Sequence, residues 1–375
     1  MHNQNPIRRI AISTGGGDAP GLNAVIRSVV LAATRLGWEC FGIREGFNGI
    51  LRPDRYPENG VFVLSKDQVR GISHLGGTIL GTTNHGNPLR FVVTDENGEK
   101  KEVDRGQDII QHLRDMQIDA LICVGGDGTL TIANALHERG VTQGLRVIGV
   151  PKTIDNDLDK TYTTFGFDTA VAFATECIDR LHSTAESHQR IMVVEVMGRY
   201  AGWIALHAGM ASTAHVILIP EIPYDLKKIA AKVDARTKAG RHYSIIVVAE
   251  GALAKEGQHH VEQAAGLGSV ERLGGIGEQL AQQLQNQTGK EARAVVLGHL
   301  LRGGSPTAFD RLSAMRFGAA AVRALQQGYS GIMVALDFPN VRYVNLAEVA
   351  GRMKGVPLDG DTLQTARDIG ISLGD

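Results

Sequence analysis

The sequence predicts an α/β protein with two doubly wound lobes, each built on a mainly parallel sheet. Short apolar segments alternate with helical patterns along the whole 375-residue chain. The apolar segments are hydrophobic on both faces, as strands are in a sheet that helices cover on both sides. Such alternation is the pattern of βαβ units. The chain is also long enough for two domains, although no Pro-rich or Ser-rich linker separates its halves.

Runs of aliphatic residues predict the strands in chain order. They are Ile10–Ser13, Cys40–Ile43, Leu121–Val124, Val147–Val150, Ile191–Val196, Val216–Ile219, Ile245–Ala249, Ala294–Leu297 and Ile332–Ala335. A helical run extends from Leu22 to Arg35, and the clearest helical spacing lies between Phe167 and Ala185. Arg90–Thr94 and Glu99–Val103 flank the turn Asn97-Gly98, which predicts a surface hairpin.

Composition argues against several functional classes. The chain has 39 basic and 40 acidic residues, so bulk charge suggests neither a nucleic-acid nor a membrane partner. No apolar run approaches membrane-spanning length and the first nine residues lack a signal core, so a cytoplasmic location is expected. Cys40, Cys123 and Cys177 lie singly in apolar runs, which predicts buried free thiols. His259 and His260 could bind a metal, but a solvated loop explains them more simply.

Two glycine-rich turns follow predicted strands. They are Ser13-Thr-Gly-Gly-Gly-Asp-Ala-Pro-Gly-Leu-Asn23 and Cys123-Val-Gly-Gly-Asp-Gly-Thr129, and a helix is predicted after each. Glycines let backbone amides face a phosphate, and a helix N-terminus adds its dipole. Asp127 could supply one carboxylate to a Mg²⁺ held by phosphate oxygens. Neither turn matches a Walker A or dinucleotide fingerprint, and an ordinary strand-to-helix turn is the alternative for each. Turns like the one that ends at Thr129 also occur in nicotinamide and lipid kinases.

The loop Val150-Pro-Lys-Thr-Ile-Asp-Asn-Asp157 follows another predicted strand. It places two carboxylates, Asp155 and Asp157, on one tight turn beside the ammonium of Lys152 and the hydroxyl of Thr153. A base, a phosphate ligand and a cation at the carboxyl end of a strand suit phosphoryl transfer to a hydroxyl. A solvated turn rich in Asp and Asn is the alternative.

Cations cluster around two later strands. Arg190 and Arg199 bracket the strand that begins at Ile191, and Arg293, His299 and Arg302 surround the strand that begins at Ala294. Arginine is suited to bidentate phosphate contact and to stabilising transition-state charge. These residues therefore indicate an anion site, with ordinary surface ion pairs as the alternative.

In order and spacing these motifs resemble those of the phosphofructokinase family, and the chain is similar to its ATP-dependent bacterial members. The resemblance runs from about Ile10 to Tyr329 and is carried by Gly16-Gly-Asp-Ala-Pro-Gly21, Thr153-Ile-Asp-Asn-Asp157, Ser187-His-Gln-Arg190 and Val196-Met-Gly-Arg-Tyr200. It implies transfer of a phosphoryl group from ATP, with Mg²⁺, to the 1-hydroxyl of fructose 6-phosphate.

The resemblance also implies roles for individual residues. Asp155 is the expected base, with Thr153 and Arg199 as further catalytic residues, and Asp127 is the expected Mg²⁺ ligand. The nucleotide phosphates are assigned to Gly16, Gly17, Gly126, Asp127, Gly128 and Thr129. The sugar phosphate is assigned to Thr153, Ile154, Asp155, Arg190, Met197, Gly198, Arg199, Glu250, Arg293, His299 and Arg302.

In the family, Arg190 and Arg293 reach into the site of a neighbouring subunit, so a homodimer or homotetramer is expected. The first lobe, which would bind nucleotide and Mg²⁺, is expected over residues 1–150, completed by residues 270–315. The second, which would bind the sugar phosphate, is expected over residues 151–270, completed by residues 316–375. Residues beyond about Tyr329 show little chemistry and are expected to complete the second lobe.

Two positions that set the phosphoryl donor in the family point in opposite directions. Gly128 matches ATP users, because the missing side chain leaves room for the α-phosphate, whereas Lys152 matches pyrophosphate users. Steric access is the harder requirement, so ATP is expected. Asn84-His85 stands where ATP users carry an arginine that contacts the donor.

Three other functions are alternatives to an ATP-dependent kinase. A pyrophosphate-dependent phosphotransferase would share its acceptor and product. A non-catalytic regulatory paralogue would have no need of Asp127, Asp155 and Arg199, which are all present. A nicotinamide-linked dehydrogenase would need a dinucleotide glycine fingerprint, which the sequence lacks.

Overall fold

The computed structural model describes residues 6–255, 261–263 and 272–375, so His259 and His260 lie outside the described residues. In these ranges the strands are β1 (Arg9–Thr14), β2 (Glu39–Ile43), β3 (Val61–Val63), β4 (Phe91–Thr94), β5 (Lys100–Val103), β6 (Ala120–Gly125), β7 (Arg146–Thr153), β8 (Phe165–Gly166), β9 (Ile191–Val196), β10 (Val216–Leu218), β11 (Ser244–Ala249), β12 (Val261–Gln263), β13 (Arg272–Leu273), β14 (Ala292–Val296), β15 (Ile332–Asp337) and β16 (Asn340–Asn345).

The α-helices of the described ranges alternate with these strands. They are α1 (Leu22–Arg35), α2 (Asn48–Leu51), α3 (Gly106–Asp115), α4 (Asp127–Gly140), α5 (Phe167–His188), α6 (Trp203–Ala211), α7 (Leu226–Lys238), α8 (Ile276–Thr288), α9 (Ala308–Gln326) and α10 (Asp361–Asp368). No helix of the described residues is long and apolar enough to cross a membrane.

Two sheets organise the two lobes. The first has the strand order β16-β15-β7-β6-β1-β2-β3, with β8 joined to β7, and the second has the order β10-β11-β9-β14. The second is parallel throughout, and the first is parallel except for its edge strands β3 and β16. The predicted α/β architecture with two mainly parallel sheets is confirmed.

Burial explains why the strands read as continuous apolar runs. Every residue of β6, β9 and β11 is buried, because helices cover both faces of each sheet. The apolar face of α1 packs against α9 over the first sheet. Each fully buried Ile, Leu or Val stabilises the fold by roughly 1.5–3 kcal/mol, so these central strands anchor the loops that follow them.

The predicted completion of the lobes is wrong. Strand β14, expected in the first lobe, pairs with β9 in the second sheet, while β15 and β16, expected in the second lobe, extend the first sheet from β7. Only the last segment behaves as expected, since Leu363, Ala366 and Ile371 pack in the core of the second lobe. The chain therefore crosses between the lobes three times, as expected, but the second crossing follows β14 and the third follows β16.

Two smaller predictions have different outcomes. The hairpin is confirmed, because β4 and β5 pair antiparallel around Asn97-Gly98. Cys40 and Cys123 are buried free thiols, as predicted, and burial raises the pKa of each thiol to about 12. Cys177 is free but only partly buried, because it lies near the edge of the buried face of α5.

Candidate active site

The carboxyl ends of neighbouring parallel strands bring the predicted motifs together. Strands β1, β6 and β7 end at Thr14, Gly125 and Thr153, and the two glycine turns and the Asp155 loop follow directly. In the second sheet, β9 and β11 end side by side at Val196 and Ala249. This edge of an open α/β sheet is where ligands usually bind.

Two cations close the first glycine turn. The Nζ of Lys152, which is buried, donates to the carbonyl of Gly17 at 2.5 Å. Nη1 of Arg302, which comes from the second lobe, donates to the carbonyl of Asp18 at 3.1 Å. A Cβ at Gly17 would collide with the guanidinium of Arg302, so a larger residue there would push this side chain away from the turn. Burial, aided by the charge of Arg302, lowers the pKa of Lys152 to about 8.

Asp155 lies in the turn after β7. Its backbone N–H donates to Thr153 Oγ1 at 3.1 Å, and its own Oδ1 is buried with no hydrogen-bond partner among the described residues. Burial, and next the charge of Asp157, raise the pKa of Asp155 to about 6, while Arg302, Lys152 and Arg199 act in the opposite direction. A buried acceptor without a partner is rare in folded proteins, so it marks a place where a substrate hydroxyl could bind.

Glu250 and Arg199 face this turn from the second lobe. Burial, and next the charge of Asp155, raise the pKa of Glu250 to about 7, whereas Arg199 lowers it. Gly198 precedes Arg199 at φ +140°, and its chain turns so tightly that a Cβ would meet the carbonyl of Ala201. The predicted segment from Met197 to Arg199 therefore leaves β9 beside the start of the loop after β11.

The second glycine turn forms the N-terminus of α4. Asp127 is its first residue, and its Oδ1 accepts the backbone N–H of Gly351 at 2.7 Å. A Cβ built on Gly128 would meet no atom of the described residues within 4 Å, so this position faces open space. Thr129 is buried against Gly15 and Gly125, which joins the two glycine turns.

The donor set fits a magnesium ion bound mainly by phosphate. No group of three or more His, Cys, Asp or Glu residues in the described ranges could hold a metal ion. A cation beside Asp127 would therefore take most of its oxygen ligands from phosphate and water, which is the habit of Mg²⁺. The first residue of a helix on a glycine turn also suits the phosphate itself.

Some residues of this site, such as Thr82 and Thr83, were not predicted from the sequence. A cavity of about 140 Å³ is lined by Gly16, Gly17, Asp18, Thr82, Thr83, Asn84, His299 and Arg302. The hydroxyl of Thr82 donates to the carbonyl of Gly16 at 2.6 Å, and the N–H of Gly16 donates to the carbonyl of Thr83 at 3.1 Å. The run Gly81-Thr-Thr-Asn84 carried a signal, because two hydroxyls follow a glycine. A larger cavity, of about 410 Å³, opens near Arg114 and contains none of the predicted site residues.

Two predicted residues lie elsewhere in this chain. Arg190 precedes β9 and Arg293 lies at the start of β14, and both pair with Glu291, at 3.4 Å and 2.7 Å. His299 and Arg302 follow the end of β14. Strand β9 has six residues and spans about 20 Å, and Arg293 pairs with Met192 near its start. Both arginines therefore lie at the amino ends of these strands, away from the site. The structure thus separates Arg293 from His299 and Arg302, although all three surround one strand in the sequence.

Comparisons with known proteins agree with this arrangement. Residues 9–325 match the family model described as "Phosphofructokinase". The chain is 50% identical to a protein of Chloroflexus aurantiacus named "ATP-dependent 6-phosphofructokinase", over 98% of both chains. It is 48% identical to a protein of Amycolatopsis mediterranei named "Pyrophosphate--fructose 6-phosphate 1-phosphotransferase", over 94% of this chain and 97% of that one.

A solved structure gives the same result for the fold. The structure of phosphofructokinase from Saccharomyces cerevisiae superimposes with a TM-score of 0.74 at 30% sequence identity. The match covers 91% of this chain and 45% of the yeast chain.

Proposed function

Since the chain belongs to the phosphofructokinase family, we infer that it transfers a phosphoryl group from ATP to the 1-hydroxyl of fructose 6-phosphate. The products are fructose 1,6-bisphosphate and ADP, and the step is a glycolytic one. Relatives of nearly full length carry this activity in their names. The observation that supports it best is Asp155, whose buried Oδ1 lacks a partner among the described residues and which is surrounded by Lys152, Arg302 and Arg199. Membership of this family excludes the dehydrogenase interpretation.

In the proposed mechanism, Asp155 accepts the proton of the sugar 1-hydroxyl. The oxygen of that hydroxyl forms a bond to the γ-phosphorus as the bond to the β,γ-bridging oxygen breaks, and ADP leaves. Such transfers depend on positioning and charge stabilisation more than on covalent chemistry. Arg199 and Lys152 would stabilise charge on the transferred group, and Thr153, Ile154, Met197, Gly198 and Glu250 would hold the sugar. His299 and Arg302 would bind its 6-phosphate.

We assign the nucleotide to the two glycine turns. Gly16, Gly17, Gly126, Gly128 and Thr129 would line the phosphates, and Asp127 would hold Mg²⁺, which neutralises phosphate charge when bound. The open space at Gly128 supports ATP as donor, because an α-phosphate needs room there. Lys152 does not oppose this assignment, since its ammonium already bonds the glycine turn.

An assay with the two donors tests this function. Purified protein with fructose 6-phosphate and Mg²⁺ should form fructose 1,6-bisphosphate from ATP much faster than from pyrophosphate. Turnover with pyrophosphate but not with ATP would establish pyrophosphate as the donor. Binding of the sugar phosphate without turnover on either donor would establish a regulatory paralogue. The cytoplasmic location stays a prediction.

The pH dependence should report the ionisation of Asp155. A base must be deprotonated, so the rate at subsaturating substrate should fall as the pH drops through about 6, the raised pKa of this carboxyl. Initial rates between pH 5 and 8 measure this fall, and thermal unfolding over the same range is the control for denaturation. A flat profile down to pH 5 would exclude a base with this pKa.

We further propose that Arg190 and Arg293 complete the sugar-phosphate site of a neighbouring subunit. Within one chain they face the wrong edge of the sheet for contact with His299 and Arg302. Each protomer would then have an incomplete site, and a homodimer or homotetramer would be the active form. In a closed symmetric pair, each subunit would give its arginines to the other.

Mixed oligomers test this sharing. Co-expressed Arg190→Ser and Asp155→Asn chains should recover about a quarter of wild-type activity, because half of randomly formed pairs are mixed and each mixed pair has one intact site. Co-expressed Arg190→Ser and Arg293→Ser chains are the matched control. They should show no recovery, because every site would still lack one arginine. Activity equal to the parental average in the first mixture would place all residues of a site in one chain.

A further inference from the structure

A segment near the end of the chain bridges the active site, although its sequence showed no chemistry. We call residues 351–356 the C-terminal strap. The N–H of Gly351 donates to Asp127 Oδ1 at 2.7 Å, and the N–H of Lys354 donates to the carbonyl of Asp157 at 2.8 Å. The N–H of Val356 donates to Glu221 Oε1 at 2.7 Å. Six residues thus contact the start of α4, the turn after β7 and the second lobe.

The Lys354 side chain lies against the turn after β7. Its Nζ donates to Asn156 Oδ1 at 3.0 Å and to the carbonyls of Thr161 and Tyr162 at 3.0 and 3.1 Å. Three acceptors satisfy all three donors of an ammonium group. Bonds from a charged donor are stronger than neutral ones, so this contact fixes the turn more firmly than a neutral side chain would.

The second lobe holds the strap in place. Trp203 Nε1 donates to the carbonyl of Lys354 at 2.9 Å, and the Trp203 ring lies 5.6 Å from the lysine ammonium. Burial lowers the pKa of Lys354 to about 8, against the opposing effect of the Asp157 and Asp159 charges. The ammonium thus stays mostly protonated at neutral pH.

Asn156 is the residue through which this contact reaches the chemistry. It stands between Asp155 and Asp157 with φ +52°, a left-handed conformation that is unfavourable for most residues other than glycine. Its Oδ1 accepts the N–H of Thr164 at 3.3 Å as well as the Lys354 ammonium. The Asn156 side chain, which stabilises the turn through its bond to Thr164, is therefore also the one that Lys354 contacts.

We propose that Lys354 is a positioning residue for phosphoryl transfer: it fixes the turn through Asn156 so that the Asp155 carboxylate stays aimed at the acceptor hydroxyl. The same strap orients the Asp127 carboxylate through the Gly351 amide. The inference rests on the proposed function and adds to it a residue that touches neither substrate. A merely structural crosslink would stabilise the fold without setting the turnover number.

Lys354→Met tests the proposal, with Lys160→Met as the matched control. Lys160 carries an ammonium on the same loop, 3.9 Å from Asp159, but its side chain is 40% exposed. Lys354→Met should lower kcat about 10- to 100-fold with little change in the KM of either substrate, because a small displacement of a catalytic group costs this much. Amide hydrogen exchange at Thr164 should become faster in Lys354→Met, without substrates present, and stay unchanged in Lys160→Met.

A second variant decides the matter if Lys354→Met fails to fold. Trp203→Phe keeps an aromatic side chain and leaves the Lys354 ammonium in place, but it removes one hydrogen bond to the strap, and it should lower kcat about 2- to 10-fold. Any one of three results would overturn the proposal. They are equal turnover in Lys354→Met and Lys160→Met, unchanged hydrogen exchange at Thr164 in Lys354→Met, and wild-type kcat in Trp203→Phe. Absence of activity in the wild-type protein would instead refute the proposed function, while the exchange result would still stand.

Discussion

Replacing Asp155 with asparagine is expected to reduce turnover by about 10²–10⁴ while leaving the affinity for fructose 6-phosphate nearly unchanged. Asparagine has the size and shape of aspartate but cannot accept the proton of the hydroxyl. The Oδ1 that it replaces has no partner among the described residues, so no internal hydrogen bond is lost at that atom. Steady-state rates and equilibrium binding of the sugar phosphate measure the two effects separately.

The same variant should be more stable than the wild type at pH 8. The pKa of Asp155 is raised in the fold, to about 6, so its ionised form is disfavoured there. This penalty is present above pH 6 and disappears below the ordinary pKa of 3.8. Thermal unfolding should therefore show a higher Tm for Asp155→Asn at pH 8 but no difference near pH 3.5.

Asp159→Asn is the matched control for both effects. Asp159 lies on the same loop, 36% exposed, and its only described ion pair is with Lys160 at 3.9 Å. Its replacement should leave turnover nearly unchanged and should not raise Tm at pH 8. Near-normal turnover in Asp155→Asn would contradict the assigned base, and equal losses in both variants would indicate a general disturbance of the loop.

Replacing Gly128 with aspartate should reduce kcat/KM for ATP by about 100-fold or more, because a carboxylate beside a phosphate costs several kcal/mol. The fold should tolerate the change, since a Cβ at this position meets no atom in the part of the chain that the structure describes, and acidic residues stabilise the first turn of a helix. Steady-state kinetics with ATP varied at saturating sugar phosphate measure the loss.

Two further substitutions separate charge from size at this position. Gly128→Ala should reduce kcat/KM for ATP only slightly, because the space is open. The loss in Gly128→Asn should lie between those of the alanine and aspartate variants. Activity with pyrophosphate should suffer less in Gly128→Asp, since that donor has no α-phosphate. An unchanged kcat/KM for ATP in Gly128→Asp would show that the nucleotide does not occupy this space.

The sequence predicted the central strands well because their signal is local. The strands that were expected at Ile10, Leu121, Ile191 and Ile245 all form within one residue of their predicted starts. Each is buried on both faces, so its composition alone reveals it. The glycine turns and the Asp155 loop were found for the same reason, since each follows such a strand directly.

Pairing between distant strands left no comparable signal. A short run with aliphatic residues such as β14 or β15 could join either sheet, and its own sequence does not say which strand it pairs with. Lys354 was missed because its partners are main-chain carbonyls and one amide side chain, nearly 200 positions earlier in the chain. The resemblance to the phosphofructokinase family implied the roles of Arg190 and Arg293. A single chain does not bring these two residues to the site.

The most direct test is a crystal structure with fructose 6-phosphate, Mg²⁺ and a non-hydrolysable ATP analogue. The distance from the Asp155 carboxylate to the sugar O1 should fall within about 2.6–3.2 Å, the reach of a general base, with the γ-phosphate in line beyond that oxygen. A carboxylate turned away from the sugar, with no donor phosphate beside it, would contradict the proposed active site.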